Sequence, residues 1–262
     1  MKSILLSTIA ALSFATAAVA ADLPARTAPA PVVPVAPVFT WSGFYVGVHG
    51  GYIRNDSDAR LVGNGAGLLT GAGTAGVLPT RRGLDSDGLA FGGQVGANAQ
   101  FGQFVVGIEA DIAYTDIGRT RAVTLGPVVG FPTAITTAVG SDIEYLGTVR
   151  GRLGFAIDQL LFFGPTLIYV TGGLAYGEVD NRLAITSPGF ADVVGRRSDT
   201  EVGYALGFGT ESRLTNNLSL MSDTIYYDLG RQTVTAASAT RAATYRFQND
   251  GWVSRVGLNL RF

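Results

Sequence analysis

Apolar and polar residues take turns along most of this chain from Trp41 onward. In residues 104–114, FVVGIEADIAY, the even positions are Phe104, Val106, Ile108, Ala110, Ile112 and Tyr114, and the odd ones include Gly107, Glu109 and Asp111. A period of two puts these sets on opposite faces of a β-strand. The same pattern recurs at about 42–54, with Phe44, Val46, Val48 and Tyr52 opposed to Tyr45, Gly47, His49 and Gly51, and at about 87–100, with Leu89, Phe91 and Val95 opposed to Gln94 and Asn98. It returns at about 142–157, where Ile143, Tyr145, Val149, Leu153, Phe155 and Ile157 oppose Glu144, Thr148, Arg150 and Arg152. A fifth strand near 166–178 has no clear facing. The sixth, about 201–213, sets Val202, Tyr204, Leu206 and Phe208 against glycines, Glu211 and Arg213. The seventh, about 218–229, carries Asp223 on its polar face. The eighth is the C-terminal GWVSRVGLNLRF, with Val256, Leu258, Leu260 and Phe262 opposed to Arg255, Asn259 and Arg261.

The connections alternate long and short: 55–86, Gln100–Gln103, 116–141, 158–165, 179–200, Leu214–Asn217 and 230–246. Eight alternating strands with this loop asymmetry predict an all-β, eight-stranded antiparallel transmembrane up-and-down β-barrel with short periplasmic turns and long extracellular loops. Proline, which cannot donate to a sheet ladder, falls outside all eight spans. A soluble barrel would point its apolar face inward. Here the small and charged face suits the narrow interior of eight strands, so the apolar face meets lipid. Trp41, Phe44, Phe101, Tyr114, Phe155, Phe162, Tyr226 and Trp252 lie near strand ends, as interfacial girdles require. The carboxylates Glu109, Asp111, Glu144, Glu211 and Asp223 then share a lumen with Arg150, Arg152, Arg213 and Arg255. With 116–141 as a hairpin loop, Glu109 can stand opposite Arg150.

The N-terminus supplies the compartment. MKSILLSTIAALSFATAAVAADLP has a basic start, an apolar stretch and the pair Ala18-x-Ala20, so residues 1–20 read as a secretory signal peptide. Residues 21–40, with prolines at 24, 29, 31, 34 and 37, read as an extended periplasmic linker, and 41–262 as the barrel domain. Only 15% of residues are charged, against about 25% in an ordinary soluble domain. The net charge of −1 leaves no electrostatic footprint for nucleic acid. There is no cysteine, hence no disulfide framework or thiolate site, and the one lysine, Lys2, is in the signal.

Chemical motifs are sparse. Gly71-x-Gly73-x-x-Gly76 matches a dinucleotide fingerprint but sits in a Gly-rich loop with no helix pattern after it. Asp56/Asp58 and Asp85/Asp87 lack the twelve-residue calcium-loop pattern and read as solvated acids. His49 is the sole histidine. No His-cluster metal site is possible, and any Ser-His-acid device must use it. A satisfied lumen residue is the ordinary reading; axial ligation of hemin by His49 or a loop tyrosine is the alternative. Arg81-Arg82 and Arg196-Arg197 are candidates for lipopolysaccharide phosphates.

WSGFYVGVHGGY, YVTGGLAYG at 169–177, GYALGFGTESRLTNNLSLMSDTIYYDLG at 203–230 and the terminal VGLNLRF resemble the porin-family outer-membrane β-barrel proteins, small surface antigens of Gram-negative bacteria. Asp223 stands where that family usually has Glu. The resemblance implies an abundant structural protein of the cell outer membrane, with hemin binding and host contact attributed to some members. The expected function is therefore structural and non-enzymatic, without a cofactor, in contact with outer-membrane lipid, lipopolysaccharide and the barrel assembly machinery. Val256, Leu258, Leu260 and Phe262 are the assembly signal. The alternative is a hemin-, host- or cell-wall-binding protein acting through its loops; a narrow pore or a lipid A-modifying enzyme ranks below both.

Overall fold

The computed structural model describes residues 39–64, 80–127, 133–158, 164–189, 192–237 and 242–262. The signal peptide, residues 21–38 of the linker, Gly71-x-Gly73-x-x-Gly76 and Phe162 lie outside them. Among the described residues there are nine strands: β1 (Gly43–Asn64), β2 (Arg81–Gly83), β3 (Ser86–Phe101), β4 (Phe104–Leu125), β5 (Ile135–Ile157), β6 (Thr166–Thr186), β7 (Val193–Arg213), β8 (Leu218–Ala237) and β9 (Ala242–Arg261). Every pairing is antiparallel. The eight long strands follow one another around the sheet, and β1 pairs with β9, so the sheet closes into a ring; at the outer end β4 beyond Thr115 is paired with β5 alone, and β7 and β8 part between Val194 and Tyr204. β2 is a short strand that pairs with β1 at Asp58–Arg60, beyond the end of the β1–β3 ladder.

The facing expected for the lower strands is present. Ile108 is 58% exposed on the outer face of β4 and Glu109 beside it 3% exposed in the lumen. β6 takes the same sense, with Ile168, Val170 and Leu174 outward and Leu167, Tyr169 and Ala175 inward. The expected boundaries are too short, because much of each long loop is ladder. β4 runs eleven residues beyond Tyr114 to Leu125.

In these extensions the sense of the pattern reverses. Along β1 the outward positions become Arg54, Asp56, Asp58 and Arg60, and the inward ones Ile53 and Ala59. The inward set elsewhere includes Ile135, Val139, Leu183, Val234, Tyr245 and Phe247. Each of the long strands except β3, whose outer end is Ser86, is thus a membrane strand at its periplasmic end and a water-facing strand at its outer end, with apolar side chains inside where water is outside. A β-bulge marks the change in β5, where the register with β6 shifts between Ile143 and Leu146. One extra residue flips the alternation. Ile143 therefore points inward and Glu144 outward, the reverse of the facing that simple alternation gave them.

Candidate functional site

The lumen is the chemically dense part of the molecule. Four carboxylates, Glu109, Asp111, Glu211 and Asp223, and four guanidiniums, Arg150, Arg152, Arg255 and Arg261, are buried together inside the ring. Antiparallel register sets the first pairs: Glu109 is opposite Arg150, and Asp223 opposite Arg255. Arg150 Nη2 donates to Glu109 Oε1 at 2.6 Å and to Asp111 Oδ2 at 2.9 Å, while its Nε donates to Thr148 Oγ1 at 2.7 Å. The Thr148 hydroxyl in turn donates a hydrogen bond to Asp111. Arg255 holds Asp223 through Nε at 2.9 Å and Nη2 at 2.7 Å, and its Nη1 crosses the lumen to Asp111 Oδ1 at 2.9 Å.

A second knot lies nearer the periplasmic mouth. Arg152 Nη2 donates to Glu211 Oε2 at 2.6 Å, its Nη1 reaches the Tyr45 hydroxyl at 3.1 Å, and its guanidinium lies 3.6 Å from the centre of the Tyr169 ring. Tyr45 donates to Glu109 Oε2 at 2.6 Å, which joins the two knots. Arg261, Ser219 and Asn259 all donate to Glu211 Oε1. Four positive groups are matched by four negative ones, each bonded more than once, as buried charge requires, although Arg150 Nη1 and Arg152 Nε have no hydrogen-bond partner among the described residues.

Layers of different chemistry seal both sides of this network. Below it, Trp41, Val105, Leu167 and Tyr169 pack together. The Trp41 amide donates to Gln100 Oε1 at 2.7 Å and its carbonyl accepts from Arg261, so the segment before β1 is drawn into the barrel mouth. Trp41 is 2% exposed and is a plug, not a girdle residue. Above the network, Ile53, Ile117, Ile143, Leu146, Val179, Ile225 and Val253 form an apolar layer. Next come polar residues that include Asn55, Ser57, Asn181, Gln232 and Asn249, and then a second apolar layer. Leu84, whose amide donates to Ser57 O at 2.6 Å, is part of that upper layer.

Three further expectations are corrected. Glu144 is exposed on the outer wall and takes no part in the lumen network. Arg213 lies at the periplasmic rim, where Nη2 donates to Asn216 Oδ1 at 2.9 Å and the guanidinium sits over Phe39. His49 is buried at 5% exposure; Nδ1 meets Gln94 Oε1 at 3.1 Å, but Nε2 has no partner among the described residues, so it is only half satisfied. A Cβ on the facing Gly92 would press on that Nε2, which shows how closely the ring is packed. Hemin ligation by His49 does not fit a position enclosed in this way. Arg261 and Tyr45 are network members that local alternation placed only on strand faces, and Tyr169 belongs to the strand whose facing alternation left open.

The outer wall above the girdle carries two rows of like charge. Asp56, Asp250 and Asp228 are successive cross-strand partners on β1, β9 and β8. Four residues further out along β1, Arg60 stands between Arg81 on β2 and Arg246 on β9, again as direct partners. The rows border an open cleft of about 1330 Å³. Arg81 is paired with Asp58. Among the described residues neither Arg60 nor Arg246 has a hydrogen-bond or ion-pair partner. Arg196 and Arg197 are spoken for: Arg196 and Arg182 both hold Asp180, and Arg197 holds Asp199. Hydrogen bonds from Arg182, and then from Arg196, keep the Asp180 carboxyl below its ordinary value. Among the described residues no group of three or more His, Cys, Asp or Glu is arranged to hold a metal ion.

Val256, Leu258, Leu260 and Phe262 all face outward on β9. The terminal residue is tied into the seam: the Phe262 amide donates to Phe44 O at 3.0 Å, and Gly43, at φ +122°, leaves room for the Phe262 carbonyl, which a Cβ there would strike.

The chain is 31% identical to the 31 kDa outer-membrane immunogenic protein of Brucella melitensis over 265 residues, covering all of both chains. It is 30% identical to the 22 kDa outer membrane protein of Rhizobium leguminosarum bv. viciae over 197 residues, 74% of this chain and 67% of that one. Of solved structures, Neisserial surface protein A aligns with 84% of this chain and 98% of its own, at a TM-score of 0.34 and 15% identity. The profile described as "Outer membrane protein beta-barrel domain" matches residues 7–247, and the chain belongs to that family.

Proposed function

We propose that this outer-membrane barrel is a structural, non-enzymatic surface protein whose lumen does not conduct. The observation that carries the reading is the filled lumen: a charge-balanced network of four arginines and four carboxylates lies between apolar layers. Eight strands enclose only enough space for side chains, and here the side chains lock one another across it. The apolar belt gives the anchor, and the seven strands that run on past it carry a charged wall for contacts at the surface. In this reading Val256, Leu258, Leu260 and Phe262 present the closing strand to the assembly machinery.

The test is electrical. Refolded protein in planar bilayers should show at most small, rare conductance steps, and steady large channels would overturn the reading. Arg150→Ala together with Arg255→Ala, which removes two bridging side chains, should raise the frequency of steps above that of the wild type.

A further inference from the structure

We propose that the outer-wall cleft bordered by Arg60, Arg81 and Arg246 binds the phosphate- or carboxylate-bearing sugars of lipopolysaccharide in the leaflet around the barrel. Like charges directly opposite one another in a sheet are unfavourable. Here three arginines occupy one row across β2, β1 and β9, and two of them have no partner among the described residues. Arg81 is offset by Asp58, and the opposition of Arg60 and Arg246, which gains the fold no ion pair, is explained by an anion supplied from outside. Its chemistry must suit planar, forked guanidinium donors, as phosphate and carboxylate do.

Height selects the source. Arg60 lies eight residues beyond Tyr52 along β1, ~26 Å of strand at ~3.3 Å per residue, or ~20 Å above the girdle for a strand tilted by ~40°. The row next to the girdle is acidic, Asp56–Asp250–Asp228, and the exposed Arg54 below it is paired with Asp56, so phosphates at the level of the lipid headgroup meet carboxylates and a paired arginine, and not a row of unpaired ones. The arginines face sideways from the wall, at a level where the neighbour is the membrane's own saccharide layer. The Asp58 carboxylate, held by Arg81, and Gln248 also line the cleft and are acceptors for sugar hydroxyls. This inference goes beyond the closed-lumen reading and does not depend on whether the lumen conducts.

The experiment uses the mature chain refolded into phosphatidylcholine nanodiscs and titrated with three probes: lipopolysaccharide bearing its core sugars, lipid A without them, and a heparin oligosaccharide. The wild type should bind the core-bearing form in preference to lipid A. Arg60→Gln with Arg246→Gln should weaken that binding about tenfold or more, as loss of charge-assisted hydrogen bonds implies, and the lysine pair at the same positions should recover part of it. The urea midpoint of the glutamine pair should equal or exceed the wild-type value, because a like-charge opposition is removed; a purely structural row would lower it. The single variant Arg246→Gln should show the same trend should the pair refold poorly. The proposal is overturned by wild-type-like binding of the glutamine pair, by lipid A binding as tightly as the core-bearing form, or by preference for heparin.

Discussion

Arg255 and Asp111 lie three strands apart around the ring, on β9 and β4, yet Nη1 of one meets Oδ1 of the other at 2.9 Å. The same guanidinium holds Asp223 on the adjacent β8, so one side chain fastens two walls of the barrel to each other. The lumen is a set of such cross-braces, and their removal should be felt as loss of a whole unit.

Arg255→Gln leaves Asp111 and Asp223 each short of a buried cation, and should cost about 3–5 kcal/mol. Asp223→Asn strips Arg255 of its two-pronged partner and should be destabilising as well. The two together should cost less than their sum, with a coupling of about 0.5–3 kcal/mol. Urea titration of protein folded into lipid vesicles measures all four corners of the cycle; additive losses would mean that the pair acts independently.

Facing on β4 has its own check. Ile108→Arg puts a guanidinium on the lipid side near mid-depth and should cost about 2–4 kcal/mol, where lumen substitutions avoid that lipid penalty. Glu109→Gln should be milder, and its defect should shrink when Arg150→Gln is added, since these residues are direct partners. A fully stable Ile108→Arg protein beside a failing Glu109→Gln protein would reverse the facing.

The outer part of the wall responds to acid through Asp180 on β6. Arg182 and Arg196 hold its carboxyl below the usual value, so its ionised form is favoured by folding. A depressed folded value gives stability that is full above the ordinary carboxylate value of about 4 and lost as the pH falls through the lower folded value. Both arginines are more than half exposed, so the effect should be small, about 0–1 kcal/mol. Protease resistance of the strand extensions, followed from pH 6 downward, should fall less steeply in Asp180→Asn than in the wild type. Parallel curves would show that Asp180 does not titrate with folding.

The barrel was legible because period two is local: Phe104 to Tyr114 display it without reference to any other strand. The extensions were not, because beyond Tyr52 or Tyr114 the apolar set moves to the opposite parity and the outward set becomes charged, which imitates a polar loop. Glu144 was misplaced by a bulge that alternation cannot register. Hairpin register allowed the Glu109–Arg150 pair without forcing it over Arg152, and the ladder selects it. Arg255–Asp111 did not, because ring closure decides which distant strands face one another. Trp41 imitates an interfacial aromatic, and only distant partners, Gln100 and Arg261, draw it inside.

Trp41 has one more consequence. Its carbonyl is held by Arg261 and its amide by Gln100, so its pocket needs both ends of the chain and does not exist until the last strand has met the first. The protein's one other tryptophan, Trp252, is 47% exposed on the lipid face. The molecule thus carries two separate optical clocks. In a refolding reaction Trp252 emission dates the arrival of the wall in lipid, Trp41 emission dates the closing of the seam, and single Trp→Phe variants let each be timed alone.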